Sequence, residues 1–192
     1  MIGTTTRRLM GVALLTALLA ACGTSTVTGP PAVAPAPAAP APDGAKSETP
    51  GYLLETPEFS VGFPEEPVTG SQDVPGLTGL TASTYTVDRG DHALVMAVID
   101  YPADVALGDP TTVLEGARDG ALANVPGSSL TSSTPTEVDG RPAVDVVASV
   151  EGGAYRALIV LDGQRLYQLI TVGSSDRTSE HEQFASSLRL LT

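Results

Sequence analysis

The sequence predicts an α+β domain in which helices pack against an antiparallel β-sheet. Three patterns favour this fold class. Asp139-Gly140 and Asp162-Gly163 each lie between two apolar runs, and this dipeptide in that setting is a strong signal for a β-hairpin. Residues 157–161 are apolar on both faces of a strand, which predicts that other layers cover it on both sides. Asp109-Pro110 precedes apolar residues at helical spacing, so a helix is available as one cover.

Before the domain, the chain begins with the pattern of a bacterial signal peptide. The basic pair Arg7-Arg8 precedes an apolar run over residues 9–21. A run of about 13 residues has the length of a signal-peptide core and is shorter than the ~20 residues that a membrane-spanning helix needs. The run ends in Leu19-Ala20-Ala21-Cys22, which resembles the lipobox of bacterial lipoproteins at all four positions.

The lipobox resemblance implies that residues 1–21 are removed and that the Cys22 thiol receives a diacylglyceryl group. A thiolate is a strong nucleophile, and its thioether product resists hydrolysis. Two acyl chains hold a protein stably on a membrane, whereas one chain does not. Cys22 is the only cysteine of the chain, so it has no partner for an internal disulfide. We therefore expect lipidation at Cys22 and a position on the extracytoplasmic face of the cell membrane.

A low-complexity stretch follows the cysteine. Residues 22–51 are rich in Pro, Ala and Thr, with Pro at nearly every second or third place over residues 34–42. Such a composition cannot bury enough apolar surface to offset the entropy of ordering, and it favours extended polyproline II conformations. The sequence therefore predicts a disordered linker over residues 22–51 and a folded domain over residues 52–192.

The net charge limits the class of partner. The formal charge of the chain at neutral pH is −12. A surface this acidic repels the phosphates of nucleic acids, so we expect no nucleic-acid binding. The expected partners are the membrane, through the anchor at Cys22, and an envelope lipid, glycan or protein.

The first half of the domain contains three predicted strands and a helix. Residues 59–63 are typical of a short strand, which Pro64 ends. Residues 79–87 and 93–101 predict a hairpin. The helix begins after Asp109 and has one apolar face, formed by Val113, Leu114, Ala117, Ala121 and Leu122.

The second half is predicted to be a meander of strands followed by a helix. The strands cover residues 129–138, 143–150, 155–161 and 165–172. We predict that the last helix begins near Asp176 or Ser179, and Ser179 and Glu182 have the spacing of a capping box. Phe184 and Leu188 share one face of that helix, and residues 188–190 have the pattern of a short final strand.

This order of elements resembles that of the PsbP-like proteins and, among them, the actinobacterial lipoproteins of the LpqN/LpqT type. The segments that carry the resemblance are residues 59–64, residues 165–169 and Phe184 before residues 187–189. The resemblance covers residues 52–192 and implies an α-β-α sandwich that serves as a non-catalytic binding or assembly module. Photosynthetic members handle calcium and manganese, but no matching ligand cluster is present in this sequence, so that role is not carried over.

Candidate chemical groups are few. The two histidines, His92 and His181, are interpreted as solvated residues of a turn and a helix end. A zinc site is not expected, because it needs three or four converging ligands and no cysteine is free to join the two histidines. The motifs of serine hydrolases and of nucleotide-binding loops are absent from the sequence. Most acidic residues fall in predicted turns, where they bind backbone donors. We assign no catalytic, cofactor-binding or metal-binding residue.

These patterns favour a lipid-anchored binding or assembly module of the cell envelope that is not an enzyme. Two alternatives stay open: an envelope hydrolase that uses paired carboxylates, and a weak metal-binding protein. A pocket with close carboxylates or a histidine–carboxylate pair would favour the hydrolase. An apolar cavity between the sheet and a helix would favour lipid binding.

Overall fold

The computed structural model describes residues 51–74, 77 and 79–191. The signal peptide predicted over residues 1–21, the lipidation site Cys22 and the linker up to residue 50 lie outside the described residues. Within the described part, no helix is both long and apolar enough to cross a membrane.

The described residues form ten strands and two helices. In chain order these are β1 (Tyr52–Glu55), β2 (Phe59–Phe63), β3 (Val68–Asp73), β4 (Thr81–Asp88), β5 (His92–Asp100), α1 (Pro110–Ala123), β6 (Ser129–Val138), β7 (Arg141–Val150), β8 (Gly153–Asp162), β9 (Arg165–Gly173), α2 (Thr178–Ser186) and β10 (Arg189–Leu190). The predicted strand over 59–63, the predicted meander and the helix that begins after Asp109 are confirmed.

Seven of the strands form one sheet in the order β3-β4-β5-β9-β8-β7-β6, and every neighbouring pair is antiparallel. The four hairpins expected from the turn residues pair β4 with β5 and join β6, β7, β8 and β9 in succession. Strand β5 pairs along its whole length with β9, which follows it only after α1 and three further strands. A separate three-stranded sheet has the order β1-β2-β10.

The turn between β6 and β7 shows why the dipeptide Asp139-Gly140 predicts a hairpin. Asp139 and Gly140 both have positive φ angles, 49° and 75°. Two successive positive φ angles define a type I′ turn, whose twist matches that of the flanking antiparallel strands. Val138 and Arg141 therefore face each other as partners at the end of the hairpin.

The seven-stranded sheet is covered on both faces. On one face, which we call the α1 face, helix α1 packs against β7 and β8. On the other, the α2 face, helix α2 packs beside the three-stranded sheet. Residues 157–161 of β8 are all buried, with Leu158 and Val160 in the core of the α2 face and the other three in the core of the α1 face. The expected cover on both sides of this strand is confirmed.

The α+β fold class is thus confirmed as an antiparallel sheet with two helices, although strands dominate the domain. The cover of the α2 face differs from a simple α-β-α sandwich, because a three-stranded sheet shares that layer with α2. The short final strand is confirmed as β10, which pairs with β2. Strands β1 and β3 were not predicted.

The predicted capping box is wrong. Helix α2 begins at Thr178 after the N-cap residue Arg177, which makes no side-chain capping bond. Ser179 already lies inside the first turn. The helix start is fixed by contacts to the sheet instead, since Asp176 accepts hydrogen bonds from Thr178 and from Arg156 of β8.

Helix α2 is held on its sheet by apolar contacts. Phe184 and Leu188 are almost fully buried, at 2% and 1% exposure. The ring of Phe184 lies 5.0 Å from that of Phe63 on β2. The Ser187 hydroxyl accepts a 2.9 Å hydrogen bond from the Gly62 amide. These contacts hold α2 against the seven-stranded sheet and against β2.

Candidate functional site

A groove of about 510 Å³ lies between α2 and strands β6, β7 and β8; we call it the α2 groove. Four apolar residues contribute to its lining: Val138, Leu158, Ala185 and Leu188. Leu158 and Leu188 are buried members of the core on the α2 face, so this lining is fixed by the packing of the domain. Four carboxylates and one guanidinium also line the groove: Glu137, Asp139, Asp145, Glu182 and Arg189.

His181 also lines this groove and is buried, with 3% exposure. Its Nδ1 atom lies 3.1 Å from the Thr171 hydroxyl of β9, while Nε2 has no hydrogen-bond partner among the described residues. Burial is the main cause that lowers the pKa of His181 to about 4, so the ring is neutral near pH 7. The interpretation of His181 as a solvated helix-end residue is wrong, because helical spacing places residues 181, 184 and 188 on the side of α2 that faces the sheet.

The charged groups of the groove differ in whether they are already paired. The Asp139 carboxylate accepts a 3.1 Å hydrogen bond from the Leu190 amide, and Arg189 donates to the backbone carbonyls of Ser186 and Leu188. Glu137, Asp145 and Glu182 are exposed, and none has a hydrogen bond or ion pair within the described residues. Three carboxylates therefore remain available beside the apolar lining.

A second polar cluster lies at the N-terminal end of α2; we call it the α2 clamp, and it comprises Asp91, His92, Arg156, Asp176, Arg177 and Glu180. His92 stands at its centre. Its Nδ1 atom is 2.7 Å from Asp91 Oδ1 and its Nε2 atom is 3.0 Å from Glu180 Oε1. The side chain is 8% exposed, so the interpretation of His92 as a solvated turn residue is wrong.

Close packing of the backbone explains the burial of His92. It opens β5 directly opposite Gly173, the last residue of β9. A Cβ atom on Gly173 would lie 2.5 Å from the Cβ of His92 and 2.9 Å from the Asp91 carbonyl oxygen. Only glycine admits so close an approach, so the strand pairing sets His92 against the first turn of α2.

The remaining members of the clamp pair with each other. Arg177 donates to Asp91, and Arg156 donates to both oxygens of Asp176, at 2.9 and 3.3 Å. The hydrogen bond with His92, aided by the charge of Arg177, lowers the pKa of Asp91. The hydrogen bond with Arg156 lowers the pKa of Asp176 to about 2. Both ring nitrogens of His92 already face carboxylates, so the ring has no free nitrogen to activate a nucleophile.

Two other cavities have polar groups that are largely paired. One of about 620 Å³ lies beside the start of α1, where Arg141 contacts the Asp162 carboxylate at 3.2 Å and the Asp139 carbonyl at 2.8 Å. The nearby helix cap is complete, because Asp109 accepts from the amides of residues 111 and 112. The other cavity, of about 350 Å³, adjoins the clamp and shares Asp91 and His92 with it.

The described part of the chain contains no cluster of side chains suited to bind a metal ion. There, no three His, Cys, Asp or Glu side chains are placed so that they could hold one metal ion. The α2 groove and the α2 clamp are thus described by their hydrogen bonds and charges alone.

Sequence reasoning did not find the groove. Its one available signal is Asp145, a single acid inside the otherwise apolar strand 143–150. The pairing of Asp145 with Leu158 places it on the α2 face, but the position of α2 against that face depends on tertiary packing. Glu182 and His181 join the site only through that packing.

Several solved structures are similar to the chain, and two of them are given below. No protein-family model matches the chain, and no curated protein matches it. A PsbP protein, CyanoP of the cyanobacterium Synechocystis sp. PCC 6803, is 18% identical with a TM-score of 0.46, over 72% of this chain and 90% of that one. Protein PA94 of Pseudomonas aeruginosa, of unknown function, is 16% identical with a TM-score of 0.37, over 68% and 88%. Similarity this low carries no inference about what this chain binds.

Proposed function

We propose that this chain is a lipid-anchored, non-catalytic binding module of the cell envelope, which takes its ligand in the α2 groove. One observation carries the proposal: a groove with a packed apolar lining is bordered by polar groups that have no partner in the described structure. The anchor at Cys22 and the extracytoplasmic position rest on the lipobox resemblance.

The dimensions and lining of the groove support this choice. Ligand sites commonly have volumes of roughly 300–1,000 Å³, a mainly apolar lining and a few polar groups that orient the ligand. The α2 groove has about 510 Å³, with Leu158 and Leu188 held by the core and His181 Nε2 available as a polar contact. A ligand that covered Val138 and Ala185, both partly buried, would remove further apolar surface from water.

A hydrolase that uses paired carboxylates is the second candidate, because Asp145 and Glu182 line the same groove. Such an enzyme needs one carboxyl group that keeps its proton near neutral pH, and apolar burial is the usual means. Both carboxylates are exposed, which favours binding over catalysis. If an extract of the native envelope is hydrolysed by the chain, and Asp145→Asn abolishes that hydrolysis, the second candidate replaces the first.

Filling the groove tests its role as the ligand site. Ala185→Leu adds bulk to the lining, while Ala123→Leu makes the same change at an exposed residue of α1. Each chain is purified from the native envelope and its mass measured under native conditions. We expect a co-purified small molecule with the unchanged chain and with Ala123→Leu, and its loss with Ala185→Leu. Equal ligand occupancy in the two variants contradicts the proposed site.

The anchor is tested by growth with a fatty acid that carries a chemical handle for labelling. The chain should become labelled, and Cys22→Ala should remain unlabelled and be released from the membrane fraction. Label on the Cys22→Ala chain contradicts the lipobox interpretation.

A further inference from the structure

We propose that the α2 groove selects ligands that carry a positively charged nitrogen on an apolar stem. An alkylammonium group is the simplest example, and a lysine-like side chain of a peptide has the same chemistry. This inference rests on the proposed function, because it takes the groove to be the ligand site.

The charge of the groove is the first observation. Four carboxylates and one guanidinium line it. Asp139 is committed to the backbone of β10, and Arg189 is committed to the carbonyls at the end of α2. The groups that remain are Glu137, Asp145 and Glu182, all negative and all without a partner in the described residues. A cation in the groove gains from each of them, whereas an anion is repelled.

The state of His181 is the second and independent observation. The residue is only 3% exposed, and its ring lines the groove with Nδ1 paired to Thr171 and Nε2 without a hydrogen-bond partner among the described residues. The fully buried side-chain atoms without a partner in the described part are Tyr155 Oη and Arg177 Nε, so Nε2 of His181 is not sealed off and a ligand in the groove can reach it. The neutral ring can hydrogen-bond a ligand without adding a positive charge that would repel a cation.

Arg156 is the other cation close to these groups, and it does not cancel their charge. Its guanidinium makes two contacts to Asp176, at 2.9 and 3.3 Å. The raised pKa of Arg156 follows first from that hydrogen bond, with smaller contributions from the charges of Asp145 and Glu182. Asp176 therefore balances Arg156 within the α2 clamp, and the carboxylates of the groove keep their net negative field.

The apolar lining supplies the second half of the selectivity. Leu158, Leu188, Val138 and Ala185 offer a surface that a compact inorganic cation cannot use. An alkyl stem buries against this surface, while its charged end reaches the carboxylates, as lysine side chains do at protein surfaces. Fatty acids and phosphates are excluded as ligand classes by their charge.

Three probes with the same six-carbon stem separate the two parts of the inference: hexylammonium, hexanol and hexanoate. The full chain is held through its anchor in nanodiscs of zwitterionic phosphatidylcholine, and ¹³C-methyl NMR follows Leu158 and Leu188 in the groove. Leu114 of α1, buried on the opposite face, serves as the reference. Each exposed ion pair contributes little alone, but several carboxylates act on one cation here, so we expect hexylammonium to bind about tenfold more tightly than hexanol. Hexanoate should cause no saturable shift.

Two isosteric variants test which groups provide the charge selectivity. Asp145→Asn with Glu182→Gln in one chain removes two charges from the groove at exposed positions, so the fold should be retained. Glu151→Gln removes a charge from the exposed turn between β7 and β8 and is the matched control. The double variant should bind hexylammonium no more tightly than hexanol, and the control should keep the full preference.

The possible outcomes distinguish this inference from the proposed function. Equal binding of hexylammonium and hexanol, or tighter binding of hexanoate, overturns the cation selectivity and leaves the groove as a site. Absence of any shift at Leu158 and Leu188 with all three probes overturns the groove itself as the ligand site. Full preference in the double variant overturns the assignment to Asp145 and Glu182.

Discussion

The first turn of helix α2 and its middle use their charges in opposite ways. At the N-terminal end, the carboxylates of Asp91, Asp176 and Glu180 each contact a basic side chain of the clamp. Further along the helix, Glu182 has no partner among the described residues, although it lies only two residues after Glu180. Two glutamates on one short helix thus face different surroundings.

Paired and unpaired charges contribute to different properties of the domain. A charge that is paired within the protein contributes to holding two elements together, and its field is largely cancelled for anything outside. A charge that has no internal partner contributes little to folding stability, but its field remains available to an incoming group. The clamp therefore fastens α2 to β5 and β8, and in our proposal the groove beside the same helix is the part that binds a ligand.

The largest expected effect is a loss of folding stability when α2 loses its apolar contacts with the sheet. Leu188→Ala should destabilise the domain by about 2–5 kcal/mol, because it deletes a side chain that is 1% exposed and leaves a cavity under the helix end. Urea unfolding, followed by circular dichroism, measures this change. Leu53→Ala is the matched control, since Leu53 is 54% exposed and its loss should cost under about 1 kcal/mol. Similar losses in the two variants would show that the groove lining is not part of the core.

The buried histidine beside the groove should make stability depend on pH. Burial is the main cause of its lowered pKa, the charge of Asp145 opposes the shift and Arg156 adds to it. In the folded chain the pKa of His181 is about 4, whereas an unfolded histidine titrates near 6.5. Between these values the unfolded chain binds a proton that the folded chain does not. The free energy of unfolding should therefore fall as pH drops from about 6.5 to 4, by roughly 2–3 kcal/mol, and be flat above that window.

Urea midpoints measured at several pH values between 4.5 and 7.5 test this expectation. Carboxylates also titrate at the acidic end, so the quantity to compare is the difference between the unchanged chain and a variant. His181→Gln should remove this part of the pH dependence, and His92→Gln, which retains His181, should keep it. An unchanged pH profile in His181→Gln would contradict the neutral buried state.

The smallest expected effect gives the sharpest test of the comparison. Glu180→Gln loses a charged contact to His92 and should destabilise the domain by about 0.5–1 kcal/mol, while Glu182→Gln should change stability by less than about 0.5 kcal/mol. For hexylammonium binding the order should reverse, with loss in Glu182→Gln and none in Glu180→Gln. If both variants change the same property, the division between fastening and recognition is wrong.

Local patterns were sufficient to predict the meander, because its turns contain residues that favour tight hairpins. Asp139 and Gly140, for example, both adopt positive φ angles in the turn between β6 and β7. The start of α1 was predictable in the same way, since Asp109 caps that helix. Strand β3 could not be found this way. All six of its residues are exposed and most are polar, so its only support is the pairing with β4.

The candidate site could not be predicted from the sequence either, because it also depends on contacts between separate elements. His92 and His181 stand next to acidic residues in the sequence, which suggested solvated positions for both. The structure buries His92 because Gly173 allows a close approach, and it buries His181 because α2 turns that residue toward Thr171. The burial of His92 depends on a strand that is distant in the chain, and the burial of His181 depends on how α2 packs against the sheet.

The pairing of β10 with β2 also constrains when the domain can fold. Residues 189 and 190 complete a sheet with residues 60 and 59, so the first strands of the domain wait for the last one. During synthesis, which proceeds from the N-terminus, Phe59, Val61 and Phe63 lack part of their cover until the last strand has emerged. A nascent chain that stalls before β10 exposes this apolar strand, which makes it a preferred substrate for chaperones and proteases.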